Sequence, residues 1–263
     1  MISRVTPQTQ MAAAERGLQA SATRMGALQQ KATDLRNISK VSDDPAAAAD
    51  SLKVRAEQRA ADQYSRNIEN GAGWMATADS SMTQVTNLLN RVRDLTLQGV
   101  NGSISPEGRN AIAVELDGLK QDLLGVANTK FLGRTIFAGN SDTGAAFTAD
   151  YLFTGSAGST VERRVSEGET IRVDVDGRSV FGEGADSVFA LIGTVADGLR
   201  EGADVSDALT GLEGFLKKTI GGHAELGARH SRLLRSEEVN MEKVTSLENQ
   251  RSDIEDPDLA KTA

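Results

Sequence analysis

The chain contains no cysteine among its 263 residues. This absence excludes disulfides, thiol catalysis and zinc-thiolate sites, and it suits a protein that passes between compartments of different redox state. Aromatic residues are also scarce, at 4%, although hydrophobic residues make up 39% of the chain. A thick globular core would lack its usual bulky side chains, whereas a thin helical bundle needs fewer of them.

Long apolar runs are absent as well, and the chain as a whole is acidic. No segment approaches the ~20 apolar residues of a membrane-spanning helix, and no basic stretch followed by an apolar one opens the chain. We therefore expect no stable membrane insertion, and any export would use a dedicated apparatus rather than a cleaved Sec signal. The formal net charge of −8 disfavours nucleic acid as a partner.

The N-terminal segment carries one narrow apolar stripe. From about residue 9 to residue 38, apolar or small side chains recur at heptad spacing: Met11, Leu18, Met25 and Ala32, with Ala14, Ser21, Leu28 and Leu35 at the companion positions. The spacing predicts a helix with little core of its own. We assign residues 1–38 to an amphipathic arm, half of a terminal coiled coil that is disordered when alone. Its excess of Lys and Arg is typical of a solvated helix face; an acidic membrane or a mitochondrial presequence are the alternatives.

Helix-start signals organise the next segment. Asp43, Asp44 and Pro45 form a start motif, because a carboxylate accepts hydrogen bonds from the first free N–H groups and proline suits the first helical position. Ser105-Pro106 repeats the signal, so we expect a third helix that folds back antiparallel on the second. Together these helices make residues 39–133 the N-terminal part of a helical rod. The second helix carries a clear seam of Ile68, Met75, Ala78, Met82, Val85, Leu89 and Val92, with Trp74, Leu88 and Leu95 beside it.

The sequence pattern changes from helical to strand-like between residues 134 and 185. Period-two alternation predicts short strands, at Thr135–Gly139, Tyr151–Phe153, Val161–Arg163 and Ile171–Val175. Glycines separate these segments, and Asp176-Gly177 is typical of a hairpin turn. We therefore predict a small β-rich outer insert.

Helical spacing returns from residue 186 to residue 255, which we assign to the C-terminal part of the rod. Asp256-Pro257 is a further start signal, and residues 256–263 are too short to form a stable helix alone. We expect them to be the start of a truncated C-terminal helix that continues in the natural protein. The predicted fold is mainly α with a small β-rich insert, arranged as an elongated antiparallel helical rod or coiled coil.

Candidate chemistry is sparse. The two histidines, His223 and His230, are seven residues apart and would lie ~10.5 Å apart along a helix, too far to share one metal ion. Gly155, Gly158 and Gly168 lack the Gly-Lys-Ser/Thr that completes a phosphate-binding loop. We predict no catalytic, cofactor-binding or metal-binding residues, no cofactor, and no enzyme activity.

Several motifs resemble bacterial flagellin and its relatives. The matching segments follow one another in the family's order: Ser42–Ala46, Asn90–Gln98 with Asn101-Gly102, Val126–Phe131 with Gly133, Leu226–Arg229 and Ile254–Asp256. Within that superfamily, Asp44-Pro45, the brief insert and Ile136–Gly139 look more like the hook-filament junction proteins, which are hook-associated proteins of the FlgL type, than like flagellin.

The resemblance implies a flagellin-like fold and a structural protein of the bacterial flagellum. Such a protein is extracellular and polymerises as a ring between hook-side junction protein and flagellin, after passage through the flagellar type III export apparatus with an export chaperone. Terminal helices would pair through Met11, Leu18, Met25, Leu28 and Leu35, and family analogy assigns rod-to-rod contacts to Arg91, Arg93, Asp94 and Leu95. Flagellin itself is the first alternative. A coiled-coil scaffold or sensor with a ligand-binding β insert is the second.

Overall fold

The computed structural model describes residues 7–34, 44–101, 103–156 and 158–256. Helices dominate this part of the chain, and the strands are short, so the predicted mainly α fold with a small β component is confirmed. The elements are α1 (Pro7–Asp34), α2 (Pro45–Val100), α3 (Pro106–Ala127), β1 (Lys130–Phe131), β2 (Arg134–Thr135), β3 (Glu162–Arg164), β4 (Thr170–Arg172), α4 (Gly177–Phe181), α5 (Val188–Glu201) and α6 (Asp207–Glu255).

The chain divides into two compact units. Unit 1 comprises Met1–Gln63 and Met241–Ala263, and unit 2 comprises Tyr64–Asn240. Helices α2 and α6 contribute residues to both units.

Local capping fixes where the helices begin. In α2, the Asp44 carboxylate accepts hydrogen bonds from the backbone N–H groups of Ala46 and Ala47, at 3.1 and 2.9 Å. In α3, the Ser105 hydroxyl accepts one from the Gly108 N–H at 3.2 Å, with proline in the first turn. Each cap satisfies N–H groups that have no partner within the helix.

The core of unit 2 is built on the heptad seam of α2. The seam residues Ile68, Met75, Ala78, Met82, Val85, Leu89 and Val92 are all buried, and so is Trp74. Helix α6 runs antiparallel to α2 within this unit: Asn240 donates a hydrogen bond to the Ser65 hydroxyl, and His223 pairs with Asp79 further along. The predicted αα-hairpin also forms, because α3 returns beside α2 and Glu115 meets Arg91.

The insert contains less β-structure than the alternation predicts. Among the described residues of the insert, two antiparallel ladders form, β1 with β2 and β3 with β4. The predicted strand at Thr135–Gly139 is wrong beyond Thr135, Tyr151–Phe153 contributes only an isolated bridge from Phe153 to Phe147, and Val173–Val175 lies outside the ladders. The hairpin turn predicted at Asp176-Gly177 is also wrong, because the Asp176 carboxylate caps α4 instead.

An aromatic cluster explains these differences. Phe137, Phe147, Phe181 and Phe189 are almost fully buried, and neighbouring rings of the cluster lie 5.2 to 5.7 Å apart between centroids. Gly177 makes this packing possible, since a Cβ there would lie 2.6 Å from the Phe137 carbonyl oxygen. The apolar residues that mimic strand alternation therefore serve a core of packed side chains rather than a sheet.

Candidate assembly surface

The described side chains on the predicted stripe of α1 are open to solvent. Met11, Leu18 and Met25 are 74%, 72% and 63% exposed, respectively. Leu28 lies in α1, but the structure does not describe its side chain. Leu35 lies outside the described residues. Apolar side chains of this size gain about 1.5–3 kcal/mol each when fully buried, so the stripe is a surface on which a partner helix could stabilise unit 1.

The helix-start motif lies in the same unit. Asp44 and Pro45 form the start of α2, as described above, whereas Asp43 lies outside the described residues. The Asp44 carboxylate accepts hydrogen bonds from backbone N–H groups, which gives this residue a structural role at the start of α2.

The described part of unit 1 contains a small core with a polar contact beside it. Val54, Ala61 and Leu247 are buried together, with Val244 and Ile254 packed against them. Beside them, the Glu255 carboxylate accepts hydrogen bonds from the Ser51 hydroxyl at 2.5 Å and from Arg55 at 2.7 and 2.8 Å. The hydrogen bond from Arg55 is the main cause that lowers the pKa of the Glu255 carboxyl to about 2, so it stays ionised far below neutral pH.

The residues that family analogy assigns to rod-to-rod contacts fall into two groups. The Arg91 guanidinium contacts the Glu115 carboxylate at 2.5 Å, with both side chains about half exposed. Arg93 and Asp94 form a longer pair of 3.4 Å, also at the surface. Leu95 is different, because its side chain is only 2% exposed and belongs to the core of unit 2. The assignment of Leu95 to a contact surface is therefore wrong for this chain, since its side chain already packs inside.

A buried polar network joins the insert to α6. The Asp174 carboxylate is fully buried and accepts hydrogen bonds from the Val161 N–H at 2.8 Å and from Arg172 at 2.9 Å. From α6, the Arg229 guanidinium donates to the Asp174 carbonyl oxygen at 2.8 Å. Burial lowers the pKa of Arg229, while the hydrogen bond to Asp174 raises that of Arg172. Sequence reasoning missed this network, because its members lie up to 68 residues apart and strand alternation does not indicate which side chain meets a residue of α6.

The described residues also bear on metal binding and on membrane-spanning helices. No group of three or more His, Cys, Asp or Glu side chains there could hold a metal ion, and His223 is paired with Asp79 at 2.7 Å. No helix within the described ranges combines the length and the apolar character needed to cross a bilayer.

Solved structures define the class of fold. A flagellar hook-associated protein from Vibrio parahaemolyticus matches 81% of this chain and 100% of its own, with a TM-score of 0.74 and 23% identity. FlgL from Bacillus cereus matches 76% of this chain and 99% of its own, with a TM-score of 0.66 and 21% identity. Bacillus cereus flagellin gives a TM-score of 0.51 over 66% of this chain. The fold is thus that of flagellin-like and hook-associated proteins.

Sequence comparison identifies the family. Residues 5–142 match the model of the bacterial flagellin N-terminal helical region. Polar flagellin F of Vibrio parahaemolyticus is 30% identical over 70% of this chain, and the chain spans about half of that relative, 48%. The flagellar filament 31.3 kDa core protein of Treponema maltophilum is 28% identical over 85% of this chain and 76% of its own length. The chain therefore belongs to the bacterial flagellin family.

Proposed function

We propose that this chain is a hook-filament junction subunit, which joins hook-side junction protein to the flagellin filament. The observation that carries the proposal is the fold match. The TM-score of 0.74 to a hook-associated protein, over the whole of that protein, exceeds the 0.51 to a flagellin. The short insert, with two ladders of two or three residue pairs, also favours a thin joining layer.

The mechanism rests on unit 1. Three exposed apolar side chains on α1 leave a stripe that a neighbouring helix can cover, and burial of such a stripe supplies free energy for association. We propose that α1 pairs with a terminal helix in the assembled flagellum, so that ordering and assembly are coupled. By analogy with the flagellin family, we propose that an export chaperone and the flagellar type III export apparatus deliver the chain to an extracellular site.

The polar surface of unit 2 supplies the second set of contacts. Arg91, Arg93 and Asp94 remain at the surface, where a neighbouring subunit can rearrange their ion pairs. Exposed pairs of this kind contribute about 0–1 kcal/mol each, so we expect them to set the register of neighbouring subunits more than the strength of binding.

Flagellin is the second candidate. The sequence relatives that favour it are flagellins and filament core proteins, including the two compared above. In this alternative the same stripe and surface residues would serve one long polymer of identical subunits rather than a thin layer between two different ones.

Immunogold electron microscopy of intact flagella distinguishes the two candidates. A small epitope tag would replace no buried residue if inserted beside Gly168, where a Cβ would meet open space. We expect label in a narrow zone at the boundary of hook and filament. Label along the whole filament would overturn the junction proposal in favour of a filament subunit, and label absent from flagella that still carry filaments would overturn both.

Binding in solution gives an independent test. Light scattering after size-exclusion chromatography of the chain, mixed in turn with hook-side junction protein and with flagellin, should reveal a complex with each partner. A filament subunit would associate with flagellin and with itself, so absence of the hook-side complex together with growth of self-polymers would contradict the proposed role.

A further inference from the structure

Two arginines converge on one tryptophan in unit 2. Trp74 lies on α2 and is 1% exposed. The guanidinium carbon of Arg134, on β2, and that of Arg163, on β3, each lie 5.9 Å from the centre of the Trp74 ring. A cation over an aromatic face is attracted to the ring, so Trp74 holds both guanidinium groups in place. The side chain of Arg134 is 35% exposed and Arg163 is half-buried, so solvent reaches both.

The positive charge of this cluster is poorly compensated. Arg163 donates hydrogen bonds to the Asn70 side-chain oxygen at 2.9 Å and to the Glu162 carbonyl oxygen at 3.0 Å, both of them neutral acceptors. Among the described residues, no carboxylate forms an ion pair with Arg163. Burial and the positive charge of Arg134 together lower the pKa of Arg163. Arg55 shows the contrast, because there one carboxylate takes two of the guanidinium hydrogen bonds.

Arg134 is only partly compensated. Its Nη2 atom donates to the Asn140 side-chain oxygen at 2.8 Å. Its Nε atom lies 3.6 Å from the Asp142 carboxylate, whose side chain is 90% exposed, so this pair is weak. The Arg134 Nε and Trp74 Nε1 atoms are buried without an acceptor among the described residues. The cluster therefore has more donors than the described part of the chain satisfies.

We propose that Arg134 and Arg163 form a binding site for an oxyanion, and that the Trp74 ring positions their guanidinium groups. Guanidinium groups suit this ligand, because their planar arrays of N–H donors match carboxylate and phosphate oxygens. The oxyanion is either the carboxylate of an acidic side chain on a neighbouring subunit or a free inorganic anion. The first source rests on the proposed assembly function, whereas the second does not.

The single tryptophan of the chain provides a specific reporter. The one indole N–H signal in a ¹H–¹⁵N spectrum belongs to Trp74, and its position can be followed while inorganic phosphate or acetate is added at constant ionic strength, which keeps general screening unchanged. We expect a saturable shift with both probes. Because each charged hydrogen-bonding group contributes substantially to such binding, Arg134→Gln and Arg163→Gln should each weaken affinity about tenfold.

Three further variants make the test sharper. Asp142→Asn removes the carboxylate that competes for Arg134, so we expect it to tighten anion binding severalfold. Arg164→Gln is the matched control, since Arg164 neighbours Arg163 in sequence but donates to the Glu167 carbonyl oxygen, and it should leave the affinity unchanged. Arg163→Lys keeps the positive charge but removes the planar array of N–H donors. It provides a second variant at that position if Arg163→Gln unfolds the insert.

The outcomes separate the two sources. A saturable response to phosphate and acetate, with an indole signal that does not change on dilution of the protein, supports a site for a free anion. An indole shift that depends on protein concentration and disappears in Arg163→Gln supports a carboxylate from a neighbouring copy. The proposal is overturned if the indole signal shows no saturable shift up to about 100 mM of either probe, a range that covers weak binding, or if the shift is equal in the arginine variants. Immunogold labelling at the hook boundary is independent of these results, so the two proposals can fail separately.

Discussion

The two compact units differ in the size of their apolar cores. Unit 2 encloses a large apolar core that includes Trp74, Phe147 and Phe181, whereas the described core of unit 1 consists of Val54, Ala61 and Leu247 with two partly buried neighbours. Unit 1 also leaves Met11, Leu18 and Met25 mostly exposed. Both units expose some large apolar side chains, but the described core of unit 1 is small beside the apolar stripe that α1 exposes, whereas unit 2 has an extensive core of its own. Unit 1 therefore has more to gain from packing against another helix.

The polar contacts of the two units differ in the same way. Asp174 in unit 2 is fully buried, where it accepts a hydrogen bond from the Val161 N–H and pairs with Arg172, whose side chain is 32% exposed. Glu255 in unit 1 meets Arg55, whose side chain is 44% exposed. Removal of a buried partner leaves uncompensated donors in a dry site and costs more than the loss of a contact that water can replace. Four predictions test this comparison, in order of their expected effect on stability.

The largest effect should come from the aromatic core of unit 2. We expect Phe147→Ala to lower the free energy of unfolding by about 3–5 kcal/mol, because the ring is almost fully buried and its loss leaves a cavity. Thermal unfolding followed by circular dichroism measures the change. Leu152→Ala is the control, since Leu152 is 51% exposed and should cost less than about 1 kcal/mol. Equal effects of the two substitutions would show that the insert is not held by this core.

The buried carboxylate should rank second. Asp174→Ala removes the acceptor of the Val161 N–H and of Arg172, so we expect a loss of about 2–3 kcal/mol. Hydrogen exchange at the Val161 amide should accelerate by a larger factor than exchange at amides of α3. A variant with unchanged protection at Val161 would contradict the role assigned to this network.

Glu255 should give a smaller and pH-dependent effect. We expect Glu255→Gln to cost about 1 kcal/mol at neutral pH, because a charged contact to a half-exposed arginine is lost. The folded-state pKa of about 2 lies below the ordinary 4.5, so ionised Glu255 stabilises the fold above pH ~4.5 and this contribution is lost as pH falls toward 2.

Urea unfolding of wild type and Glu255→Gln over this pH range measures the Glu255 effect. The two proteins should converge in stability at low pH. A difference that stays constant from neutral pH down to pH 2 would rule out the ionised carboxylate as its source.

Sequence periodicity predicted the helical part of the fold for a physical reason. A long helix repeats one geometry, so seam residues such as Met75, Met82 and Leu89 could be identified from spacing alone, and the start of α2 from Asp44-Pro45. The insert followed no single repeat, and its Phe137 and Phe147 side chains serve a cluster rather than a sheet. Period-two alternation could not distinguish these two uses.

The candidate surface was predictable only in part. The α1 stripe could be identified from heptads, whereas Leu95 lies at the edge of the α2 seam, where spacing does not decide between core and surface. The contact of Arg55 with Glu255 joins residues 200 positions apart, and no local pattern signals such a pair. Contacts between distant charged side chains require the tertiary structure.

The smallest effect on stability should accompany the largest loss of assembly. The triple variant Met11→Gln, Leu18→Gln and Met25→Gln changes side chains that are 63–74% exposed, and glutamine keeps a helix propensity close to that of leucine and methionine. We expect unfolding of the chain alone to change by less than about 0.5 kcal/mol, while complexes with hook-side junction protein and flagellin are lost in light scattering. The control Gln10→Ala and Gln19→Ala alters exposed positions off the stripe and should leave the complexes intact. If the triple variant assembles like wild type, unit 1 does not use α1 as its partner surface, and the contrast between a self-sufficient unit and one stabilised by association no longer holds.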